Sequence, residues 1–397
     1  MVRNRRYLIY DSVMTGHHGE YLEHLIVSGR GVPGVEIHVL AHPELKSRLG
    51  TMDVSANVEV SYLDAGEIER ISSLRHNLRM RGEFELGLVA NFLKIINVDH
   101  VVLMHLNLFL KSEVRLQAFE GVEFSGILFN QEYQPLWGIR SIATLKSWGE
   151  QQLRNRDIVK VRRVAAVRTI HVLNDCDFVE QMNAPLLGKK PFNVLVDPLP
   201  LECVEPARAI SSTVKPRATE LLLFGAISPR KGVLETLRAL ERLTSDEKNR
   251  IHLTIAGKFV NDAYAEEVRR MVDAMNEQQE IDIVRLIPEF LEYSELDKLL
   301  ENADCVLAPY IGFYGSSGII GHACRWQVPV IACKAGLIGR IVLRNRLGWT
   351  VDPSNVGQFA SVIRSVCRGH TEFSEENAND YARLASSQAF VSALLSS

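Results

Sequence analysis

Glu220-Leu221-Leu222-Leu223-Phe224-Gly225-Ala226-Ile227-Ser228-Pro229-Arg230-Lys231-Gly232 is the stretch that decides the fold. Four apolar residues in a row, Leu221 to Phe224, suit a strand covered on both faces, as a parallel sheet demands. Gly225 ends the run, Pro229 and Gly232 punctuate a short loop, and a helical pattern follows from Val233 to Arg242. Arg230 and Lys231 stand just ahead of that helix, where backbone amides and basic side chains together suit a diphosphate. The plainer alternative is a βα turn with solvated cations. The spacing of an ATP-binding loop, G-x-x-x-x-G-K-[ST], is not there, which argues against an ATPase.

The same grammar extends in both directions. Downstream, strand-like runs at His252–Ala256, Ile283–Leu286, Cys305–Ala308 and Val328–Ala332 alternate with helical patterns at Ala263–Met275 and Ser294–Asn302. Upstream, Tyr7–Tyr10, Glu36–Leu40, His100–Met104, Gly126–Phe129, Thr169–Leu173 and Asn193–Val196 read as strands, with helices at Glu20–Val27, Phe84–Ile96 and Ile142–Val167. Continuous apolar runs separated by helices predict doubly wound parallel sheets. Asp197-Pro198-Leu199-Pro200 and Ser211–Arg217 lack periodicity and read as a linker. The expected fold is therefore α/β, with two Rossmann-like doubly wound domains facing a cleft. The expected boundaries are residues 1–203, residues 218–373, and a last helix over 374–397 that crosses back to the first domain.

Composition narrows the class. The 397 residues suit two domains rather than one core. Lys+Arg 45 against Asp+Glu 48 gives a net charge of −3, so no broad basic field recommends nucleic acid. No run approaches the roughly 20 apolar residues of a membrane-spanning helix, and the start, Met1-Val2-Arg3-Asn4-Arg5-Arg6, does not read as a signal peptide. The 6 cysteines form no C-x-x-C pair, which argues against a disulfide framework or structural zinc. A cytoplasmic α/β enzyme is the expectation.

A second loop carries chemistry: Ala308-Pro309-Tyr310-Ile311-Gly312-Phe313-Tyr314-Gly315-Ser316-Ser317-Gly318-Ile319. It follows a strand, where doubly wound folds bind ligands. Ser316 and Ser317 are candidate helix caps, and Gly318 would let a ligand approach the backbone. Together with Ile287-Pro288-Glu289-Phe290, Ala303-Asp304, Pro329–Ala332, Gly336-Leu337, Gly348 and Val351-Asp352-Pro353, in this order, the chain resembles the C-terminal domain of the family-four retaining glycosyltransferases over roughly residues 217–355. The first domain is similar in outline, through the glycine turn at Gly16–Gly19 and the linker at Asp197-Pro198.

The resemblance implies the GT-B fold and a UDP- or GDP-sugar donor held by the C-terminal half. It implies transfer of a hexose to a hydroxyl of a glycan or related acceptor, with retention and without a metal; no cofactor is needed beyond the nucleotide-sugar co-substrate. Lys231 matches the lysine that contacts the donor diphosphate. The companion arginine is replaced within Ala226-Ile227-Ser228, and Arg230 stands nearby as a substitute. Gly225, Pro288, Glu289 and Phe290, and the amides of Ser316, Ser317, Gly318 and Ile319, would line the donor site. The family's two glutamates fall on Tyr314 and His322, which can hydrogen-bond sugar and ribose but bring no fixed negative charge. That departure keeps a second reading open, a catalytically silent protein that binds nucleotide or glycan.

In the first domain, Gly16-His17-His18-Gly19 would border donor phosphate and acceptor, and Glu132 is a candidate to orient an acceptor hydroxyl, with His105 the other candidate for the family's first-domain histidine. His18, Glu20 and His24 do not fall on one helix face, so no metal is expected. Asp175-Cys176-Asp177 spells D-x-D but stands where a helix opens and reads as a cap. Basic residues between Arg154 and Arg168 interleave with Ile158, Val159, Val161, Val164 and Val167. That pattern fits a solvated helix over core, or a helix resting on an anionic membrane that bears a lipid-linked acceptor. The expected partners are a nucleotide sugar and a glycan or lipid-linked acceptor, with peripheral membrane contact through this helix and no nucleic acid.

Overall fold

A computed structural model of the chain describes residues 4–29, 32–50, 57–112, 116, 119, 121–129, 149, 153, 155–184, 191–203, 218–279, 282–369 and 372–396. The chain divides into two compact units, Met1–Pro198 with Ser386–Ser397, and Leu199–Ala385.

The first unit is built on β1 (Arg5–Asp11), β2 (Val35–Ala41), β3 (Val58–Tyr62), β4 (His100–Leu103), β5 (Glu123–Leu128), β6 (Val167–Leu173) and β7 (Phe192–Leu195). Their spatial order is β3-β2-β1-β4-β5-β6-β7, and every pairing is parallel. The order reverses between β1 and β4, so the sheet has its switch point at Asp11 and the residues after Leu103. Leu8, Val101 and Val172 pack with Leu86 and Val89 on one face, while Ile9, Val39 and Val102 pack with Leu22 and Leu25 on the other. Burial on both faces is why β1 and β4 show as unbroken apolar runs in the sequence.

The second unit carries β8 (Thr219–Phe224), β9 (Ile251–Ala256), β10 (Val284–Ile287), β11 (Cys305–Ala308), β12 (Val330–Cys333) and β13 (Gly348–Val351). Their order is β10-β9-β8-β11-β12-β13, again wholly parallel, with the reversal between β8 and β11. The stretch quoted at the outset therefore ends the central strand of this sheet.

Several expectations need correction. The last helix is two helices. Glu375–Leu384 remains in the second unit, capped by Ser374, and only Ser387–Leu395 joins the first. The break comes at Ser386, whose extended backbone and side chain, accepting from the Ala389 amide, start a new helix. In the first unit Phe390, Val391, Leu394 and Leu395 complete the core on the Leu22 face. The boundary falls at Pro198/Leu199 rather than after residue 203, because Asp197 belongs to the first unit's interior: its carboxylate accepts from the Tyr21 hydroxyl at 2.5 Å and its amide donates to Asn174. The helix expected at Phe84–Ile96 spans Leu78–Leu93, with the Asn77 side chain accepting from the Met80 amide. The helix expected at Ile142–Val167 stops short of Val167, which opens β6; residues 155–162 are helical, and most of the preceding stretch lies outside the described residues.

In the first unit burial lowers the pKa of four histidines, of which His24, His100 and His171 are buried and His105 is half-buried. Burial pushes His24 down to about 4, and His105 and His171 down to about 3. His100 is lowered as well, chiefly by burial and then by Arg5. The unfolded chain takes up these protons near pH 6.5, while the folded chain resists them until far lower pH. Their stabilising contribution is therefore complete above pH 6.5 and is lost as pH falls through 6.5 toward 4. Thermal melts at pH 7.5, 6.0 and 5.0 should show the midpoint of the first unit dropping at each step. A midpoint unchanged between pH 7.5 and 5.0 would refute this account of the four rings.

Candidate functional site

In the second unit the site is assembled at the switch point. Gly225 follows β8 with φ 100°, a value that favours glycine, and the chain then makes one bridge, Ile227 to Phe259, before a 3-10 turn at Pro229–Lys231. Gly232, with φ 71°, ends that turn and opens the helix Val233–Glu241. A Cβ on Gly232 would stand 2.3 Å from the Pro309 carbonyl oxygen, so glycine here permits the loop after β8 to lie directly against the loop after β11. The Ile311 amide donates to the Arg230 carbonyl at 2.8 Å and ties the two loops together.

This close approach buries Lys231, which is 7% exposed. Its ammonium donates to the Tyr310 hydroxyl at 2.5 Å and to the Phe224 carbonyl at 3.3 Å, and it lies 4.3 Å from the centroid of the Tyr310 ring. An ammonium has three protons, and these two contacts account for two of them. Arg230 is exposed; its guanidinium lies 4.4 Å from the centroid of the Phe313 ring. Two neighbouring cations are thus each braced by an aromatic ring from the loop after β11, and Tyr310 and Phe313 pack edge-on at 5.6 Å. Sequence reading placed the cations and missed both rings. No spacing ties Tyr310 or Phe313 to the cations, because only the pairing of β8 with β11 brings the two loops together.

Phe224 links this cluster to another. Its carbonyl holds Lys231, and its ring meets the buried His322 ring at 6.0 Å, which in turn stacks on Tyr293 at 6.2 Å. His322 lies on the short helix Ile319–Arg325. The expected caps Ser316 and Ser317 do not cap it: Gly318 occupies that position, with no side-chain cap bond. Gly318 is in ordinary helical geometry, and nothing lies within 4 Å of a Cβ built on it. Ser316, Ser317 and Tyr314 are half-buried, and Ile319 is buried. Pro288, Glu289 and Phe290 follow β10 and are exposed, Phe290 by 70%. The structure therefore brings Gly225, Arg230, Lys231 and His322 into one continuous set of contacts at the strand ends. Pro288–Phe290 stand at the same edge of the sheet.

In the first unit, Asp11 ends β1 and His105 follows β4, on the two sides of that sheet's switch point. Gly16, with φ 70°, turns the chain into the helix His18–Ser28, and His18 comes back over Asp11. His18 Nδ1 is 2.7 Å from Asp11 Oδ2, and Asp11 Oδ1 accepts from the Val13 amide. The His18 ring stacks on Phe129 at 4.8 Å and meets His105 at 4.9 Å. Behind them the fully buried Glu85 accepts from the hydroxyls of Tyr10 and Ser12 and from Arg81. His17 is exposed and pairs with Glu20 at 3.1 Å, a contact that raises its pKa and lowers that of Glu20. A Cβ on Gly19 would run into the Arg48 side chain.

His24 contacts Ser387, so His18, Glu20 and His24 go to three different partners. Among the described residues no group of three or more His, Cys, Asp or Glu side chains could hold a metal ion. The Asp175 side chain accepts from the Phe178 amide and caps its helix. Glu132, Asn130 and Gln131 lie outside the described residues. Among the described residues no helix is long and apolar enough to cross a membrane. A cavity of about 630 Å³ lies by Glu123, Arg163 and Arg168 at the opposite end of the strands from Asp11 and His105.

Comparison with known proteins agrees with the second-unit reading. Residues 218–368 match the family model Glycosyl transferases group 1, so the resemblance drawn from the motifs holds over that unit. No curated protein sequence matches the chain. Among solved structures the chain is similar to a glycosyltransferase from Rickettsia africae, at 13% identity and TM-score 0.65, covering 100% of this chain and 98% of that one. It is similar to Anabaena HepE in complex with UDP and glucose, at 14% identity and TM-score 0.61, covering 99% of each chain. Sucrose-phosphate synthase from Thermosynechococcus elongatus gives 14% identity and TM-score 0.61, covering 99% of this chain and 98% of that one. Two parallel doubly wound sheets of seven and six strands, in this order, are the α/β architecture of the GT-B glycosyltransferases.

Proposed function

We propose that the protein is a glycosyltransferase that moves a hexose from a UDP- or GDP-sugar to a hydroxyl of a glycan or lipid-linked acceptor. The observation that carries this reading is the braced pair Arg230–Lys231 at the switch point of a Glycosyl transferases group 1 domain. Breaking the bond between sugar and diphosphate puts negative charge on the leaving oxygen. A fixed ammonium lowers the barrier by meeting that charge without having to reorganise. Lys231 takes this role, Arg230 adds charge from the solvent side, and the backbone from Ser316 to Ile319 faces phosphate or ribose. Phe290, exposed beside the strand ends, offers a face for the base. His322 and Tyr314 hold ribose and sugar hydroxyls. This machinery needs no metal, and retention of configuration follows from the family resemblance. Anabaena HepE was solved with UDP and glucose, which supports a nucleotide sugar as the donor here.

The test is release of UDP or GDP from a panel of nucleotide sugars, each offered with octyl glycosides as acceptors. One donor should turn over faster with acceptor present than without. Saturable nucleotide binding with no turnover on any acceptor would instead favour the catalytically silent reading, which the loop from Pro309 to Pro329 motivates because it contains no glutamate.

A further inference from the structure

One group of charges in the first unit is out of balance, and it borders a cavity far from the switch point. This cavity of about 630 Å³, at the amino-terminal ends of β5 and β6, is lined by Phe119, Val122, Glu123, Arg163, Val164 and Arg168 and lies wholly within that unit. The turn at residues 163–166 is one wall and the segment ahead of β5 is the other. The Phe124 amide donates to the Ala166 carbonyl at 2.8 Å, and Phe119 packs edge-on against Phe124 at 5.1 Å, so both walls are fixed. Glu123 is fully engaged: Oε1 accepts from Arg168 Nε at 2.6 Å and Oε2 from Arg5 at 2.8 Å. Arg5 is itself held over the Tyr7 ring, 5.2 Å from its centroid. Arg163 is exposed and makes no ion pair among the described residues. Three guanidiniums thus surround one carboxylate, which leaves two positive charges in excess. An irregularity in the sheet presents one of them. Phe124 pairs with Val167 and Ser125 with Thr169, so Arg168 is an extra residue in a parallel pair, where bulges are rare and serve to re-aim a side chain. A cation closing the helix that ends at residue 162 would explain Arg163 alone. It would explain neither the bulge at Arg168 nor the cavity between the two arginines.

We propose that this cavity binds a phosphate monoester, with the phosphate between Arg163 and Arg168 and the organic body along Phe119, Val122 and Val164. A phosphate monoester carries close to two negative charges at pH 7, which matches the excess. The guanidinium fork suits phosphate oxygens, and the wall of Phe119, Val122 and Val164 suits an apolar body more than a bare ion. The ligand is not a substrate of transfer, because doubly wound sheets do their chemistry at the other ends of the strands. The site goes beyond the transfer reading and does not rest on it.

The experiment titrates phenyl phosphate, inorganic phosphate and phenol by calorimetry into the full chain carrying Lys231→Ala, which removes the anion site of the second unit. Phenyl phosphate should bind at one site, about tenfold more tightly than inorganic phosphate because its ring leaves water, and phenol should give no saturable heat. Arg163→Ser should weaken phenyl phosphate about tenfold, the worth of one hydrogen bond to a charged group, and Arg163→Lys should weaken it less. The melting temperature of Arg163→Ser should stay within about 1 °C, since an exposed, unpaired side chain is lost. Sedimentation with phosphatidylcholine vesicles containing phosphatidic acid separates the two sources of such a group. Retention that phenyl phosphate displaces and Arg163→Ser loses assigns the site to a lipid headgroup; no retention beside a positive titration assigns it to a soluble monoester. No saturable binding of phenyl phosphate overturns the proposal, and so does an affinity unchanged in both Arg163→Ser and Arg168→Gln. These outcomes are the same whether or not the protein transfers a sugar, so failure here leaves the transfer reading standing.

Discussion

Lys231→Ala is expected to lower kcat by about 10²- to 10³-fold, the cost of removing one preorganised donor to a developing oxyanion. The expectation rests on how the ammonium is held. Tyr310 and Phe224 fix it from one side, and a Cβ on Gly225 would come within 3.1 Å of it, so its freedom is small before any donor binds. Little ordering then remains to be done in the transition state. Removing the side chain leaves the Tyr310 hydroxyl without this donor partner, which should cost about 1 kcal/mol of stability, far too little to unfold a domain. Lys231→Arg should recover less than tenfold of the loss, because a planar guanidinium does not fit between a carbonyl and a phenol set for an ammonium. Steady-state kinetics with the identified donor, alongside a thermal melt, check both statements. A Lys231→Ala variant within threefold of wild type would show that the diphosphate is held elsewhere.

Gly232→Val should be the most damaging single change to the second unit. It places a β-branched residue at φ 71° and drives its Cβ to 2.3 Å from the Pro309 carbonyl oxygen. Backbone strain and forced displacement each cost about 1–3 kcal/mol, so a total of about 4 kcal/mol is expected, with a fall in the unit's melting temperature of roughly 8–16 °C. The strain is not confined to stability. Pushing Pro309 away moves Tyr310 and breaks the link from the Ile311 amide to the Arg230 carbonyl, so nucleotide affinity should fall with it. Gly34 is the matched comparison: its φ is 72°, and nothing lies within 4 Å of a Cβ built there. Gly34→Ala should cost about 1 kcal/mol from backbone strain alone and leave nucleotide binding intact. Equal melting temperatures for the two variants would show that the contact with Pro309 does not constrain the loop.

Where the sequence was legible, burial made it so. β1, β4, β8, β11 and β12 are covered on both faces, and their unbroken apolar runs read directly as strands. β3 and β13 escaped notice, and both are edge strands. Val58-Glu59-Val60-Ser61-Tyr62 alternates because one of its faces is open, and Gly348-Trp349-Thr350-Val351 is short and half-buried. The cations Arg230 and Lys231 were legible because they sit within one loop whose punctuation reveals it. Their aromatic partners were not, since Tyr310 is 79 residues from Lys231 and the two meet only through the β8–β11 pairing. The same holds for the first unit. His18 stood out as part of a glycine turn, but nothing in the spacing assigned it to Asp11 or set His105 against it. Ser316 and Ser317 misled because a good capping residue type says nothing about which residue adopts the capping position.

The central claim is that the second unit holds a nucleotide by its diphosphate at Lys231, and a titration series tests it most directly. Uridine, UMP and UDP, and the matching guanosine set, are titrated into the full chain by calorimetry. The account predicts that one base series binds, that affinity rises steeply from nucleoside to diphosphate, and that Lys231→Ala abolishes the rise while leaving the nucleoside affinity unchanged. If neither diphosphate binds, or if the nucleoside binds as tightly as the diphosphate, the account is contradicted.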